Sequence, residues 1–524
     1  TILLTPFLCF ADKLEFPSIF SNMMVLQQGQ EVPVWGKGKA GAEISVSFAG
    51  QTKTSTVAED GSWQLSLAPL SASKENREMS ISMGEEQQTI TNVLVGEVWL
   101  CSGQSNMEFT LGHLSRNARE PADQPVADYV KNETETASDP LLRHFKVNNT
   151  TSPFEPLSNV KGTWISSNPA SNMNFSGTAY FFGKELRQQL DVPVALINSS
   201  WGGTRVEAWT PDAAIKANEN LKVRIGTEEE LLKNRIAQWD PVKQKELYEN
   251  RLKIWQEKTG NKGRKPRQAS HPAASPQNAS SLFNAMIHPL VPYAFKGAIW
   301  YQGESNAKEG YAVYSETFMA MIQSWRDYWQ QGDFPFYFVQ LASFRAPAET
   351  PVDSDPWVTV LDQQRRSLAL KNTGMAVAND IGEAKDVHPR NKIDIGKRLS
   401  LWALANEYGK NLVKSGPLYK SHRINGNNIE ITFDHVGSGL MVARKNLLDP
   451  AQQVEEALAH FQICAADGVW KWAEAKITGK DKVSVSHADI AAPTVVRYAW
   501  SPNPEKANLY NKEGLPTSVF TTEK

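Results

Sequence analysis

The stretch GEVWLCSGQSNMEF, Gly96 to Phe109, decides how the rest of this chain is read. Val98 to Cys101 is a short apolar run that reads as a buried strand. Ser102-Gly103-Gln104 breaks it, and Ser105 stands just past the bend where a helix can start. A serine there has its hydroxyl at the mouth of a sheet, beside helical N–H groups that favour developing negative charge. For an arbitrary serine after a strand, capping the helix is the commoner role. The pentapeptide Gly103-Gln104-Ser105-Asn106-Met107 also lacks the closing glycine of the G-x-S-x-G elbow. If Ser105 is a nucleophile, the layout is a different one.

Around that stretch, residues 93–414 alternate buried strands with helical patterns. The strands are Glu97 to Cys101, Val194 to Asn198, Gly297 to Tyr301, Phe336 to Leu341 and Gly374 to Ala378. The helices are Thr178 to Leu190, Tyr311 to Gln330, Trp357 to Leu370 and Lys392 to Tyr408. This alternation predicts a parallel sheet covered on both faces, with its ligand off the carboxyl ends of the strands. Residues 211–260 form a charged helical insertion that either covers the cleft or stands outside it, and 261–277 an exposed connector. Residues 12–92 and 415–524 consist of short alternating runs punctuated by turn residues, which predicts a β-sandwich-like domain at each end. Asn425-Gly426-Asn427-Asn428 is a hairpin turn in the second.

At 524 residues the chain is too long for one core. With 55 basic and 57 acidic residues it offers no electrostatic case for nucleic acid or an anionic membrane. Residues 1–11, TILLTPFLCFA, have the length and texture of a signal-peptide core and are too short to span a bilayer, so a secreted or periplasmic location and no membrane insertion are expected. Without that segment Cys101 and Cys464 remain, in different predicted domains, and no disulfide framework is expected.

Four segments at strand ends supply complementary chemistry: Ser105; Asn198 to Thr204 with its Gly202-Gly203 pair; Trp300 to Asn306; and Asp380 to Pro389. Acyl transfer from an ester needs a serine, a base and donors aimed at the oxyanion. Ser105 would attack, with His388 as base and then acid. The oxyanion would be met by the N–H of Ser105, that of Gly202 or Gly203, and the amide of Gln302 or Asn306. The carboxylate orienting the imidazole is either Asp386 or Asp380. Trp201, Arg205, Trp209, Glu304 and His288 are candidates for gripping a sugar, Arg205 as partner of a substrate carboxylate. The histidines lack metal-ligand spacing, which makes a metallohydrolase a distant reading.

GQSNM, the Gly202-Gly203 block, WYQGESN and DVHPRNK together resemble the sialate O-acetylesterase family, carbohydrate esterases of the SGNH-hydrolase superfamily. The likeness extends over most of the chain. It implies a flavodoxin-like three-layer α/β domain, no metal or organic cofactor, and removal of O-acetyl groups from sugars, acetylated sialic acid first and acetylated xylan or another glycan second. It implies Ser105 as nucleophile, His388 as base, and Gly202, Gly203 and Gln302 or Asn306 at the oxyanion. Two positions depart from the superfamily pattern. Lys385 stands where D-x-x-H would place the acid, and Gly303-Glu304-Ser305-Asn306 replaces G-x-N-D. A carbohydrate-binding protein with an inactive esterase centre is the competing class.

Overall fold

The computed structural model describes residues 13–523, so the apolar run 1–11 lies outside the described residues. Its organising element is one continuous strand, β1 (Glu86–Gly103). The first part of β1 pairs antiparallel with Ser73–Met83 in the N-terminal β-region, and its second part is the middle of the central sheet. The boundary expected at 92/93 therefore falls inside a strand that both sheets share.

The central sheet continues with β2 (Asp139–Val147), β3 (Gly162–Ser167), β4 (Val194–Ser200), β5 (Gly297–Tyr301), β6 (Phe336–Val339) and β7 (Thr373–Ala376), in the spatial order β7-β6-β5-β1-β4-β2-β3. All neighbours are parallel except the β2/β3 pair at one edge. Strand order reverses at β1, which opens a crevice at its carboxyl end between β4 and β5. The sequence reading missed β2 and β3. Arg143, His144 and Lys146 break the apolar signal of β2; Lys146 is half-buried, and Arg143 and His144 are nonetheless buried, Arg143 through hydrogen bonds to the backbone carbonyls of Met23 and Asn92.

Helices cover both faces. On one, α2 (Gly177–Leu190) packs on α7 (Lys392–Asn406) so closely that a Cβ on Gly396 would lie 2.5 Å from the Phe182 nitrogen, and Trp99 of β1 meets Phe182 edge-on. On the other lie α5 (Tyr314–Trp329) and α6 (Pro356–Arg366), with Trp300 of β5 packed against Phe318 and Trp325 of α5. The one-turn helix α1 (Ser105–Glu108) follows β1 directly. Residues 212–259 hold three helices. Of these, α3 (Glu219–Ala237) buries Leu221, Ile225 and Leu232, whereas α4 (Pro241–Thr259) buries no residue.

The C-terminal region forms its own antiparallel sheets, and the hairpin at Gly426-Asn427 is present, with Asn425 paired to Asn428. It docks on the central domain through Gln340 Nε2 to Ser518 Oγ (3.0 Å) and Asn379 Nδ2 to the Thr517 carbonyl (3.0 Å). The architecture is thus a mixed α/β domain with a central parallel sheet, flanked by separate β-sheet regions. Cys101 and Cys464 are both free and buried. Among the described residues no helix is long and apolar enough to cross a membrane.

Candidate active site

Three of the four segments end at neighbouring strands, β4, β1 and β5, which explains how the chain brings them together. The turn after β1 is fixed from both sides. Gln104 N–H donates to the Tyr301 carbonyl (3.0 Å), and the Gly103 carbonyl accepts from Trp201 N–H (3.1 Å). Gly103 has φ +137, and a Cβ there would sit 2.2 Å from the Tyr301 oxygen, so only glycine lets β1 and β5 approach this closely. Ser105 follows as the first residue of α1, where its N–H has no intrahelical acceptor.

The fourth segment arrives from the sheet edge, after β7. His388 Nε2 lies 2.9 Å from Ser105 Oγ, and His388 Nδ1 lies 3.2 Å from Asp386 Oδ1. Asp386 Oδ1 also accepts the backbone N–H of His388 (3.0 Å), so the two-residue spacing closes into a small ring that fixes the imidazole. Burial pushes the Asp386 carboxyl up. The hydrogen bonds from His388 and the charge of Arg119, whose Nε is 3.1 Å away, outweigh it and hold the acid below the usual carboxylate range. Ser105 is 7 % exposed and the His388 side chain 25 %, so both reach solvent from one side of the cleft. Phe109 stacks between His388 (centroids 4.4 Å apart) and His113 (3.8 Å), forming an aromatic wall.

Asp380, the other candidate for orienting the imidazole, is not at His388. Both its oxygens hold Arg398 (2.6 and 2.7 Å), and one also accepts from Tyr510. The amides of Gln302 and Asn306 do not face the cleft either. Gln302 Nε2 donates to the Thr204 carbonyl (3.1 Å) and to Asn306 Oδ1 (2.7 Å), and Asn306 Nδ2 donates to Glu207 (2.9 Å). These two amides tie the β5 end to the segment after Gly203. Gly202 N–H is held by Glu108 Oε2 (2.6 Å). Gly203 has φ +77 and open space where a Cβ would be.

The candidate sugar contacts also divide. Trp201 is half-buried beside the turn, whereas Trp209 is fully buried against Trp300 and donates to Thr204 Oγ1. Arg205 is taken by Glu228 of α3 (2.9 Å) and Glu309 (3.3 Å), on the wall of a cavity of about 1420 Å³ under the insertion that neither Ser105 nor His388 lines. His288 packs edge-on against Phe283 and Tyr328, with its Nδ1 3.4 Å from the Leu157 carbonyl.

Glu304 is buried behind the site and pushed up by desolvation. It accepts from Asn106 Nδ2, which also donates to the carbonyl of Val387 (3.0 Å), next to the imidazole. Asn106 Oδ1 in turn accepts from Lys392 Nζ (2.5 Å), an amine that burial drives down to about 7. The sequence reading assigned no role to Asn106, Lys392 or Glu108. Asn106 and Lys392 stand inside the quoted motifs, but their link spans 286 residues and has no local signal. Among the described residues no cluster of three or more His, Cys, Asp or Glu side chains is arranged to hold a metal ion.

A serine hydroxyl, an imidazole and a carboxylate in line at the switch point of a parallel sheet form a hydrolase-like site, and comparison with known proteins makes the class that of a carbohydrate esterase. The chain belongs to the family "Carbohydrate esterase, sialic acid-specific acetylesterase", which matches residues 95–263 and 274–404. It is 31% identical to the sialate O-acetylesterase of Rattus norvegicus over 97% of this chain and 94% of that one, and 30% identical to that of Homo sapiens over 99% and 95%. It is also similar to the crystal structure of a carbohydrate acetylesterase from Xanthomonas citri, with 33% identity, TM-score 0.78, and coverage of 98% of this chain and 100% of that one.

Proposed function

We propose that this chain is a serine esterase of the SGNH type that removes O-acetyl groups from carbohydrate through an acyl-enzyme intermediate. The observation that carries the reading is the continuous hydrogen-bonded line from Ser105 Oγ through His388 to Asp386. His388 Nε2 takes the hydroxyl proton as Ser105 Oγ bonds to the acetyl carbon, and gives it to the sugar oxygen as the bond between the acetyl carbon and that oxygen breaks. Water repeats the cycle on the acetyl-serine and releases acetate. Asp386 keeps Nδ1 protonated and stabilises the imidazolium. The oxyanion meets backbone N–H groups at the start of α1 and in the Gly202-Gly203 turn.

The substrate reading is acetylated sialic acid, supported by the named activity of the relatives that match along nearly the whole chain. One observation favours a neutral glycan such as acetylated xylan. The cation expected to meet a sialate carboxylate, Arg205, already holds Glu228 and Glu309. Acetate release from 9-O-acetylated sialic acid and from acetylated xylan, measured side by side, decides between them. Turnover of p-nitrophenyl acetate tests the esterase itself. A purified protein without turnover fits the binding-protein alternative and defeats the proposal. The apolar run 1–11 supports a secreted or periplasmic location, to be checked by fractionation.

A further inference from the structure

Glu108 ends the single turn that Ser105 begins, three residues on, so both side chains emerge on one side of α1. Its carboxylate is held at both oxygens. Oε2 accepts the Gly202 N–H at 2.6 Å, and Oε1 accepts Asn149 Nδ2 at 3.0 Å. The charge of Glu108 also acts on Lys146, a half-buried residue whose amine donates to Asn198 Oδ1 (2.9 Å) and to the Ser200 carbonyl (2.9 Å). One side chain thereby joins the ends of β1, β2 and β4. Gly202 lies so near the nucleophile that a Cβ on it would be 3.2 Å from Ser105 Cβ and 2.9 Å from Glu108 Oε2.

While this bond stands, the Gly202 N–H is occupied and cannot serve an oxyanion. The next amide in the turn, that of Gly203, has no acceptor among the described residues and sits at a left-handed φ of +77 beside open space. A short bond to an ionised acceptor is the strong kind. With its second oxygen held as well, the carboxylate acts as a brace and not as a loose plug.

We propose that Glu108 is a positioning residue for the oxyanion site: it clamps the Gly202 N–H and so presents the Gly203 N–H, together with that of Ser105, to the acetyl carbonyl. This rests on the serine-esterase reading above. Glu108 touches no reacting atom and acts through the turn it holds.

The test uses the full chain and p-nitrophenyl acetate. Glu108→Ala is expected to lower kcat by about 10- to 100-fold, the scale of a misplaced donor, with KM within about threefold. Glu108→Gln, whose amide oxygen can accept the same N–H, retains at least about a third of wild-type kcat, a rescue that a loss of charge alone would not give. Should Glu108→Ala not fold, Glu108→Asp keeps the charge but is one methylene short of Gly202, and is expected to show the same loss. A Glu108→Ala enzyme as fast as wild type, or faster, overturns the inference, as does a Glu108→Gln enzyme as impaired as the alanine variant. Turnover abolished by Ser105→Ala but untouched by Glu108→Ala defeats this inference alone. Turnover that survives Ser105→Ala defeats the esterase reading and this inference with it.

Discussion

Asp380 and Arg398 form a bidentate ion pair with N–O distances of 2.6 and 2.7 Å, their side chains only 6 % and 7 % exposed. That pair leaves Asp386 as the carboxylate at the imidazole and gives the two aspartates separable behaviour. Asp386→Asn is expected to cut kcat by about a thousand-fold or more, because an amide permits the wrong imidazole tautomer, with the melting temperature little changed. Asp380→Asn is expected to leave a buried guanidinium underpaired and cost about 3–5 kcal/mol of stability, with kcat of the folded fraction largely kept. Kinetics beside thermal melts of the two variants check this, and a reversed pattern would return the orienting role to Asp380.

Ser105→Ala and His388→Ala should each reduce turnover of p-nitrophenyl acetate by about a thousand-fold or more, and the double variant should be no worse than either single one. Residues that act as one unit lose their function together. Additive losses would show that Ser105 and His388 act independently despite the 2.9 Å contact.

Gly202→Ala forces a methyl between Ser105 Cβ and Glu108 Oε2, at 3.2 and 2.9 Å. A loss of about 100-fold in kcat is expected, since the turn must move off Ser105. Gly203→Ala meets no atom but pays for its left-handed φ of +77, about 1 kcal/mol of stability, with a smaller effect on rate. Steady-state kinetics and melts of both variants test the order.

Lys392 gives a pH dependence of known sign. Burial lowers its amine to about 7 in the folded chain, while the unfolded chain holds the proton up to about 10.4. Between those values the unfolded state binds more protons, so the cost of burying Lys392 shrinks as pH rises and is full below about 7. Denaturation of wild type and Lys392→Met at pH 7.5 and 9.5 should therefore show wild type gaining on the variant at the higher pH. A constant difference would mean that the amine is not depressed.

Sequence alone was enough to locate the carboxyl-terminal part of β1 together with β4, β5, β6 and β7, because each is a short apolar run broken by a polar turn, and to locate the polar residues standing just past β1, β4, β5 and β7. It also marked both ends of the chain as β-rich. It did not disclose β2, whose Arg143 is buried only because distant carbonyls receive it, nor the single strand Glu86–Gly103 shared by two sheets. The choice among chemically equal candidates belonged to the tertiary structure. Asp386 and Asp380 are both carboxylates near His388 in sequence, and Gln302 and Asn306 are both amides past one strand. Asp386 meets the imidazole because Asp380 is claimed by Arg398, and neither amide faces the cleft because Glu207 and the Thr204 carbonyl claim them. A hydrogen bond satisfied in the interior removes a donor or acceptor from the cleft, and local sequence carries no record of that competition.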